Sequence, residues 1–175
     1  MRLIVGLGNP GPEYKNTRHN LGRKAVNRFA AKKLTSHFQA NEKFKADIID
    51  EVFHGEKIII AKPLTFMNQS GQAVKTIADY FKILPADILI IHDDLDIALG
   101  QVKLQKNRGS AGHNGVQSVI DHLKTKDFLR IRIGIQPEEE ISHPEKFVLE
   151  KIKPEEDFLI KEAIKKATAL IAEAF

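Results

Sequence analysis

The chain has no cysteine among its 175 residues, which excludes a disulfide framework, a thiolate metal site and a cysteine nucleophile. It also lacks any apolar run near the roughly 20 residues needed to cross a bilayer. Its opening, Met1-Arg2-Leu3-Ile4-Val5-Gly6, soon meets glycine and proline and does not read as a signal peptide. A cytoplasmic protein with no membrane partner is the expectation. No internal repeat, low-complexity tract or Ser/Gly-rich linker divides the sequence, so residues 1–175 read as one domain able to bury a core. What is present is an ordinary globular balance, 42% hydrophobic and 29% charged residues, with a net charge of +4. That charge and a pI near 9.2 tilt the chain toward a polyanionic partner without deciding for one.

Periodicity predicts strands alternating with helices. Arg2 to Gly6 is a short apolar β run ending in a Gly/Pro loop, Leu7 to Arg18. Leu21, Ala25, Val26, Phe29 and Ala30 then recur at helical spacing, predicting a helix from about Asn20 to Leu34. Two strands, Ala46 to Phe53 and Lys57 to Ala61, are joined through His54-Gly55-Glu56 as a hairpin. A helical stripe through Ala73, Val74, Ile77, Ala78 and Phe81 follows. Ile88 to Ile91 reads as a strand covered on both faces, ending in Asp93-Asp94-Leu95-Asp96. Gln101 to Gln105 and Leu129 to Ile135 alternate as half-covered strands, on either side of a Gly-rich loop (Arg108 to Gly112) and a helix through Val116 to Leu123. Pro154 sits where a first-turn proline starts a last amphipathic helix. The whole predicts a single three-layer α/β/α domain with a twisted mixed sheet.

Gly6-Leu7-Gly8-Asn9-Pro10-Gly11 satisfies G-x-G-x-x-G directly after a strand. That pattern marks a dinucleotide site only when a helix begins at the loop and points its N-terminus at the pyrophosphate. Here Pro10 and Pro12 interrupt the segment, Pro10 has no N–H to offer, and helical periodicity waits until about Asn20. The loop reads instead as a tight turn that holds the Asn9 side chain in a cleft.

Candidate chemical groups gather where the predicted strands end, the place where open α/β sheets collect ligands. His19 follows the first loop. Asp93, at the end of a buried strand, is positioned to accept its N–H, fix the tautomer and favour the imidazolium during reaction, leaving the other nitrogen to take a proton from water. The Asp-Asp-Leu-Asp run also suits a turn or a cation, though no Gly-containing calcium loop surrounds it. Asn68 and Asn114 are neutral groups suited to holding a peptide backbone or an oxyanion, and equally suited to capping helices. His113 either touches substrate or closes its loop, and Phe66 and Met67 read as pocket wall or as core. Ser70 and Ser110 lack a G-x-S-x-G elbow, so a base-activated water is simpler than a serine nucleophile. Lys103, Lys106, Arg108, Arg130 and Arg132 fall on polar faces that together would make a basic surface for nucleic-acid phosphates.

The segments carrying these groups, Val5 to Gly11, Tyr14 to Gly22 with Thr17-Arg18-His19-Asn20, Lys62 to Gly71, His92 to Asp96, Gly109 to Gly115 and Arg130 to Gly134, closely resemble the bacterial peptidyl-tRNA hydrolase family. They occur in that family's order and span most of the chain. The resemblance implies hydrolysis of the ester joining a peptide to the terminal ribose of tRNA, recycling the tRNA, with no metal or organic cofactor and a monomeric enzyme. It implies His19 as base and Asp93 as its support, with Asn68 and Asn114 at the peptide, water and oxyanion. It further implies that Asn9 distinguishes a blocked amino group, that Tyr14 and Phe66 line the tRNA-end and peptide sites, and that Met67 and His113 are neighbours in the cleft. Lys103, Arg130 and Arg132 are the expected tRNA phosphate face, and about 142–153 the expected mobile lid. Two departures stand out: one glycine, Gly112, where a pair is frequent, and Gln105 on a face where a cation would strengthen phosphate binding.

Two rival readings make different structural demands. A non-catalytic RNA-binding module needs the basic face but not a close His19–Asp93 pair. A nucleotide-dependent oxidoreductase needs a helix starting at Gly11.

Overall fold

Leu3, Ile4 and Val5 are fully buried because their strand, β1 (Arg2–Gly6), runs through the middle of the sheet and packs on both faces. The computed structural model describes residues 1–174. In them the chain continues through α1 (Leu21–Lys33), β2 (Gln39–Asn41), β3 (Ala46–Phe53), β4 (Glu56–Pro63), α2 (Ser70–Phe81), β5 (Ile88–Ala98), β6 (Val102–Lys106), α3 (Asn114–Leu123), β7 (Leu129–Gln136), α4 (Pro144–Phe147) and α5 (Asp157–Glu173). The seven strands lie in the order β2-β3-β4-β1-β5-β7-β6. The four central strands, β4, β1, β5 and β7, are mutually parallel, while β2, β3 and β6 pair antiparallel. The mixed sheet is covered on one face by α1 and α5 and on the other by α2 and α3, giving the expected three layers.

The arrangement places the site. From β1 the chain turns toward β4 on one side, while β5 lies on the other, so the loops beyond the carboxyl ends of β1 and β5 part to leave a crevice. Helix α1 starts hard against this crevice. A Cβ at Gly22 would lie 2.2 Å from the Ile91 carbonyl oxygen and 2.7 Å from the Leu7 backbone, so only glycine permits the approach. The three residues preceding α1, Arg18–Asn20, form a 3-10 turn that is buried with it.

The sequence-based outline differs from the structure in its ends and edges. Strand β5 does not stop before the acidic run but continues through it to Ala98, with a register shift between Asp94 and Ala98. The short edge strand β2 had no apolar pattern to announce it: its burial is low along its length. Pro154 begins a 3-10 turn, Pro154–Glu156, and the α-helix proper starts at Asp157. No α-helix begins at Gly11, where Pro12–Tyr14 makes only a 3-10 turn, so the dinucleotide geometry is absent from this loop.

Candidate active site

Asp93 is the centre of the crevice. It is 1% exposed, and its carboxylate faces two imidazoles. His19 Nδ1 lies 2.9 and 3.0 Å from its two oxygens, and His113 Nε2 lies 3.0 Å from one of them. The His113 ring also caps α3: its Nδ1 accepts from the backbone N–H of Gly115 at 3.1 Å and of Val116 at 3.2 Å. An atom that accepts carries no proton, so His113 is held with its proton on Nε2, donating to Asp93. The same reasoning gives His19 a proton on Nδ1 and leaves Nε2 with its lone pair and no protein partner. The two rings are 4.8 Å apart, and His92 stands 4.7 Å from His113 at the sheet side, with Nδ1 donating to the Asp93 carbonyl at 2.6 Å.

The electrostatics follow from burial and this one shared carboxylate. Burial alone would raise the Asp93 carboxyl, but the two imidazoles hold it well below the usual carboxylate range. Burial opposes the charged form of His19, yet the charge and hydrogen bond of Asp93 outweigh it and lift His19 above its ordinary 6.5. His92 is the opposite case: buried, and next to His113, it is pushed down to about 3 and stays neutral despite the two aspartates nearby. A buried imidazole close to a carboxylate, with its second nitrogen free, is a base that can take a proton near neutral pH.

The cavity in front of this group is about 620 Å³. His19, Asp93, His113 and Asn114 line it together with the apolar surface of Leu95, Ile141 and Val148. Because the His113 ring performs the capping of α3, Asn114 is released from the cap role its position suggested and is exposed on the wall. Asn9 is held differently. The Asn20 side chain clamps its backbone, accepting from Asn9 N and donating to Asn9 O, both at 2.9 Å. Asn9 Oδ1 accepts from Met67 N at 2.7 Å, so its Nδ2 remains as the outward donor. Asn9 lines a second, smaller cavity of about 250 Å³ beside the first. Met67 is buried against the α3 start, while Phe66 and Asn68 are exposed on the loop before α2, and Tyr14 is half-buried; none of these four lines either cavity. Among the described residues, His19, Asp93 and His113 offer ligand atoms within 4.8 Å of one another, which a divalent cation could engage only by replacing the N–H protons now donated to Asp93.

Sequence reasoning named His113 for the cleft or for closing its loop but not as a second partner of Asp93, and it missed two residues that shape the site outright. One is Asn20, the clamp on Asn9. The other is Arg18, 0% exposed, whose Nη2 meets both oxygens of Glu156 at 2.9 and 2.7 Å and whose guanidinium carbon lies 4.0 Å from the Phe147 ring centroid. Backbone bonds run alongside, from Arg18 N to Glu150 O at 3.2 Å and from His19 N to Val148 O at 2.8 Å. The expected lid, about 142–153, is therefore tied to the His19 turn through its latter half, and its first half contains α4. No apolar period marked Arg18, which ends the predicted loop; it is the 3-10 turn Arg18–Asn20 that buries it beside His19.

The basic face differs from expectation in its accessibility. Lys103 is exposed on the edge strand β6. Arg130 and Arg132 are 1% and 3% exposed, because β7 is an interior strand whose polar side is covered as well as its apolar one. Arg132 is committed to Asp94, with Nε donating at 2.6 Å, and to Gln105. These two arginines do not form an open stripe with Lys103.

Comparison with known proteins identifies the family. A family model described as peptidyl-tRNA hydrolase matches residues 3–175. The peptidyl-tRNA hydrolase of Oceanobacillus iheyensis is 41% identical over 174 residues, covering 98% of this chain and 90% of that protein. That of Lactiplantibacillus plantarum is 43% identical over 177 residues, with the same coverages of 98% and 90%. The crystal structure of peptidyl-tRNA hydrolase from Acinetobacter baumannii superposes with a TM-score of 0.90 at 34% identity, covering 99% of this chain and 89% of that one. With motif order, fold and whole-length similarity in agreement, the chain belongs to the peptidyl-tRNA hydrolase family.

Proposed function

We propose that this chain hydrolyses the ester between a peptide, or an N-blocked aminoacyl group, and the 3'-terminal ribose of tRNA, returning free tRNA to translation. The observation that carries the reading is the 2.9 Å contact between His19 Nδ1 and Asp93 beside a 620 Å³ cavity into which a free Nε2 can act. Neutral His19 removes a proton from water through Nε2, and Asp93 stabilises the imidazolium that forms. The hydroxide adds to the ester carbonyl carbon. The tetrahedral oxyanion is held by the side-chain amide of Asn114 on the cavity wall, while Asn68, on the exposed loop before α2 outside the cavity, meets the peptide backbone beyond it. Collapse breaks the bond to the ribose oxygen, which takes the proton back from His19, giving tRNA and a peptide acid. His113 flanks the ester in the large cavity, and the peptide leaves that cavity past Asn9, whose Nδ2 reads the blocked amino end, toward Tyr14 and the loop before α2 that carries Phe66 and Met67. Of the three cations expected at the tRNA phosphate face, Lys103 is the exposed contact, with Arg130 and Arg132 behind it as charge.

The reading is that of a monomeric cytoplasmic enzyme needing no metal; no helix among the described residues is long and apolar enough to cross a membrane. The test is release of N-acetyl-aminoacyl groups from tRNA, with unblocked aminoacyl-tRNA alongside and a chelator present. Cleavage of the blocked substrate alone supports the reading. No cleavage by folded protein overturns it in favour of an RNA-binding module, and loss only with chelator transfers the chemistry to a metal at His19, Asp93 and His113. Replacement of His19 by alanine should lower turnover by about 10²–10⁴, the usual share of a positioned base.

A further inference from the structure

The smaller cavity, on the far side of Asn20 from the proposed base, has a charge balance the hydrolytic mechanism does not use. Four of its lining residues are cations, Lys15, Arg23, Lys24 and Lys62; the others include asparagines but no carboxylate. Two of the cations are largely covered, with side chains 14% exposed for Arg23 and 11% for Lys62. Both turn to the same acid: Asp47 lies 3.7 Å from Arg23 Nη2 and 3.6 Å from Lys62 Nζ. Their other partners are neutral, the Pro63 carbonyl at 2.6 Å from Arg23 Nη1 and Asn27 Oδ1 at 3.0 Å from Lys62 Nζ. Burial depresses the basicity of Arg23, Lys24 and Lys62 against the pull of Asp47 on the first and last and of Asp157 on Lys24, and repulsion adds to it for Lys62, from Arg23, and for Lys24, from Lys15 and Lys161. Covered positive charge with one shared counter-ion is relieved by an anion entering the space between.

Geometry indicates which anion. His19 lines the large cavity, while Asn20, the next residue, and Asn9 line the small one. A nucleotide esterified at its ribose 3' oxygen carries its own phosphate on the 5' side, one ribose away from the ester. We infer that the pocket formed by Lys15, Arg23, Lys24 and Lys62 is a phosphate subsite for the single-stranded 3' end of the RNA, holding the phosphodiester next to the nucleotide whose ester faces His19. This inference rests on the hydrolase reading above. The neutral donors left on the wall, among them Asn27 Nδ2, suit a phosphate oxygen, and phosphate contacts of this kind set register without reading bases. The pocket is separate from the Lys103 edge, so it grips the substrate strand at its tip while the edge meets the body of the molecule.

The experiment compares two small substrates: N-acetyl-aminoacyl adenosine, which has no phosphate, and the same ester on a CCA trinucleotide. The expected result is a kcat/KM preference of about tenfold or more for the trinucleotide, the effect of one charge-assisted contact, falling to twofold or less in the rim variant Lys15→Ala/Lys24→Ala. A wild-type protein without the preference, or a variant that keeps it, overturns the inference. Binding is read independently by titrating ¹⁵N-labelled protein with unesterified CCA and with inorganic phosphate, following the side-chain amides of Asn9, Asn16 and Asn27. Shifts with CCA that the double variant loses support the subsite even if neither ester is cleaved, a result that would count against the hydrolase reading alone. Equal saturation by inorganic phosphate, or no shift with CCA, overturns the assignment to RNA.

Discussion

Arg18 and Glu156 meet in the interior through a two-point contact, one residue before the proposed base and immediately ahead of α5. Glu156 also accepts from the Lys153 N–H at 2.9 Å, so the pair fastens the segment after α4 to the His19 turn. Removing one member leaves the other charged and covered. Glu156→Gln should lower stability by about 3–5 kcal/mol. It should also reduce kcat, since His19 N is bonded to Val148 O on the fastened segment. Chemical denaturation and kinetics on the folded variant check the two effects; a variant of unchanged stability would show that the pair is held by its surroundings.

The proton affinity of His19 is raised by Asp93 against the effect of burial. The acid limb of the kcat/KM profile should therefore have its midpoint above 6.5 in the wild type. Asp93→Asn leaves burial unopposed, so any residual activity should show that limb displaced below 6.5, with kcat reduced by the loss of tautomer control. The sign for stability is separate: a His19 bound more tightly to its proton in the folded state contributes stability fully present below about 6.5 and lost as pH rises through the folded value. His92, pushed down to about 3, works the other way, because the unfolded chain takes the proton first as pH falls from 6.5. Comparison of wild type with His92→Gln by thermal melts should show the wild-type advantage shrinking between pH 6.5 and 3.

The loop before His113 stores strain. Ala111 has φ of 51° and Gly112 of 80°, so an L-residue with a Cβ occupies the left-handed region next to a glycine that adopts it freely. Such a conformation costs about 1–2 kcal/mol for a residue with a Cβ. Ala111→Gly should relieve part of it and raise stability by up to about 1 kcal/mol, measured by melting temperature, since added unfolded-chain freedom offsets the remainder. A fall in stability would mean that the methyl group contributes packing at the cavity wall.

Lys103 and Arg132 separate surface from structural charge. Lys103→Ala should leave the melting temperature unchanged and weaken tRNA binding, with the slope of log affinity against log salt reduced by about 1. Arg132→Ala should lower stability by about 3–5 kcal/mol, because Asp94 at 2.6 Å would be left covered without its partner. If Arg132→Ala melts normally and loses only tRNA affinity, the arginine acts on phosphate.

The parts of the fold that sequence conveyed well were those with a period: β1, the β3–β4 hairpin and the apolar stripes of α1, α2, α3 and α5. In the site, the pairing of His19 with Asp93 was legible because His19 followed the loop after β1 and Asp93 ended a predicted strand, two places that open sheets bring to one end. The second imidazole was not, since nothing in the loop from Arg108 to His113 says how far it folds back over β5. Arg130 and Arg132 illustrate the opposite difficulty. Their alternation on β7 was read correctly, but alternation tells which residues share a face and not whether that face meets water. That depended on β6, whose short exposed strand takes the edge and leaves β7 inside.

The central position of β1 bears on how the protein comes into being. Leu3 to Gly6 pair with Ile88 to Ile91 on one side, and Arg2 to Val5 with Ile58 to Ala61 on the other. These partners are separated along the chain by more than fifty residues, and parallel strands so distant are slow to find each other. The strand that leads to Asn9 and His19 keeps one edge unpaired until β5, the later of its two neighbours, has been synthesised. A nascent or truncated chain lacking β5 leaves one edge of an apolar strand open and has no Asp93, so on the proposed mechanism hydrolytic competence arrives together with completed pairing of β1, rather than by degrees.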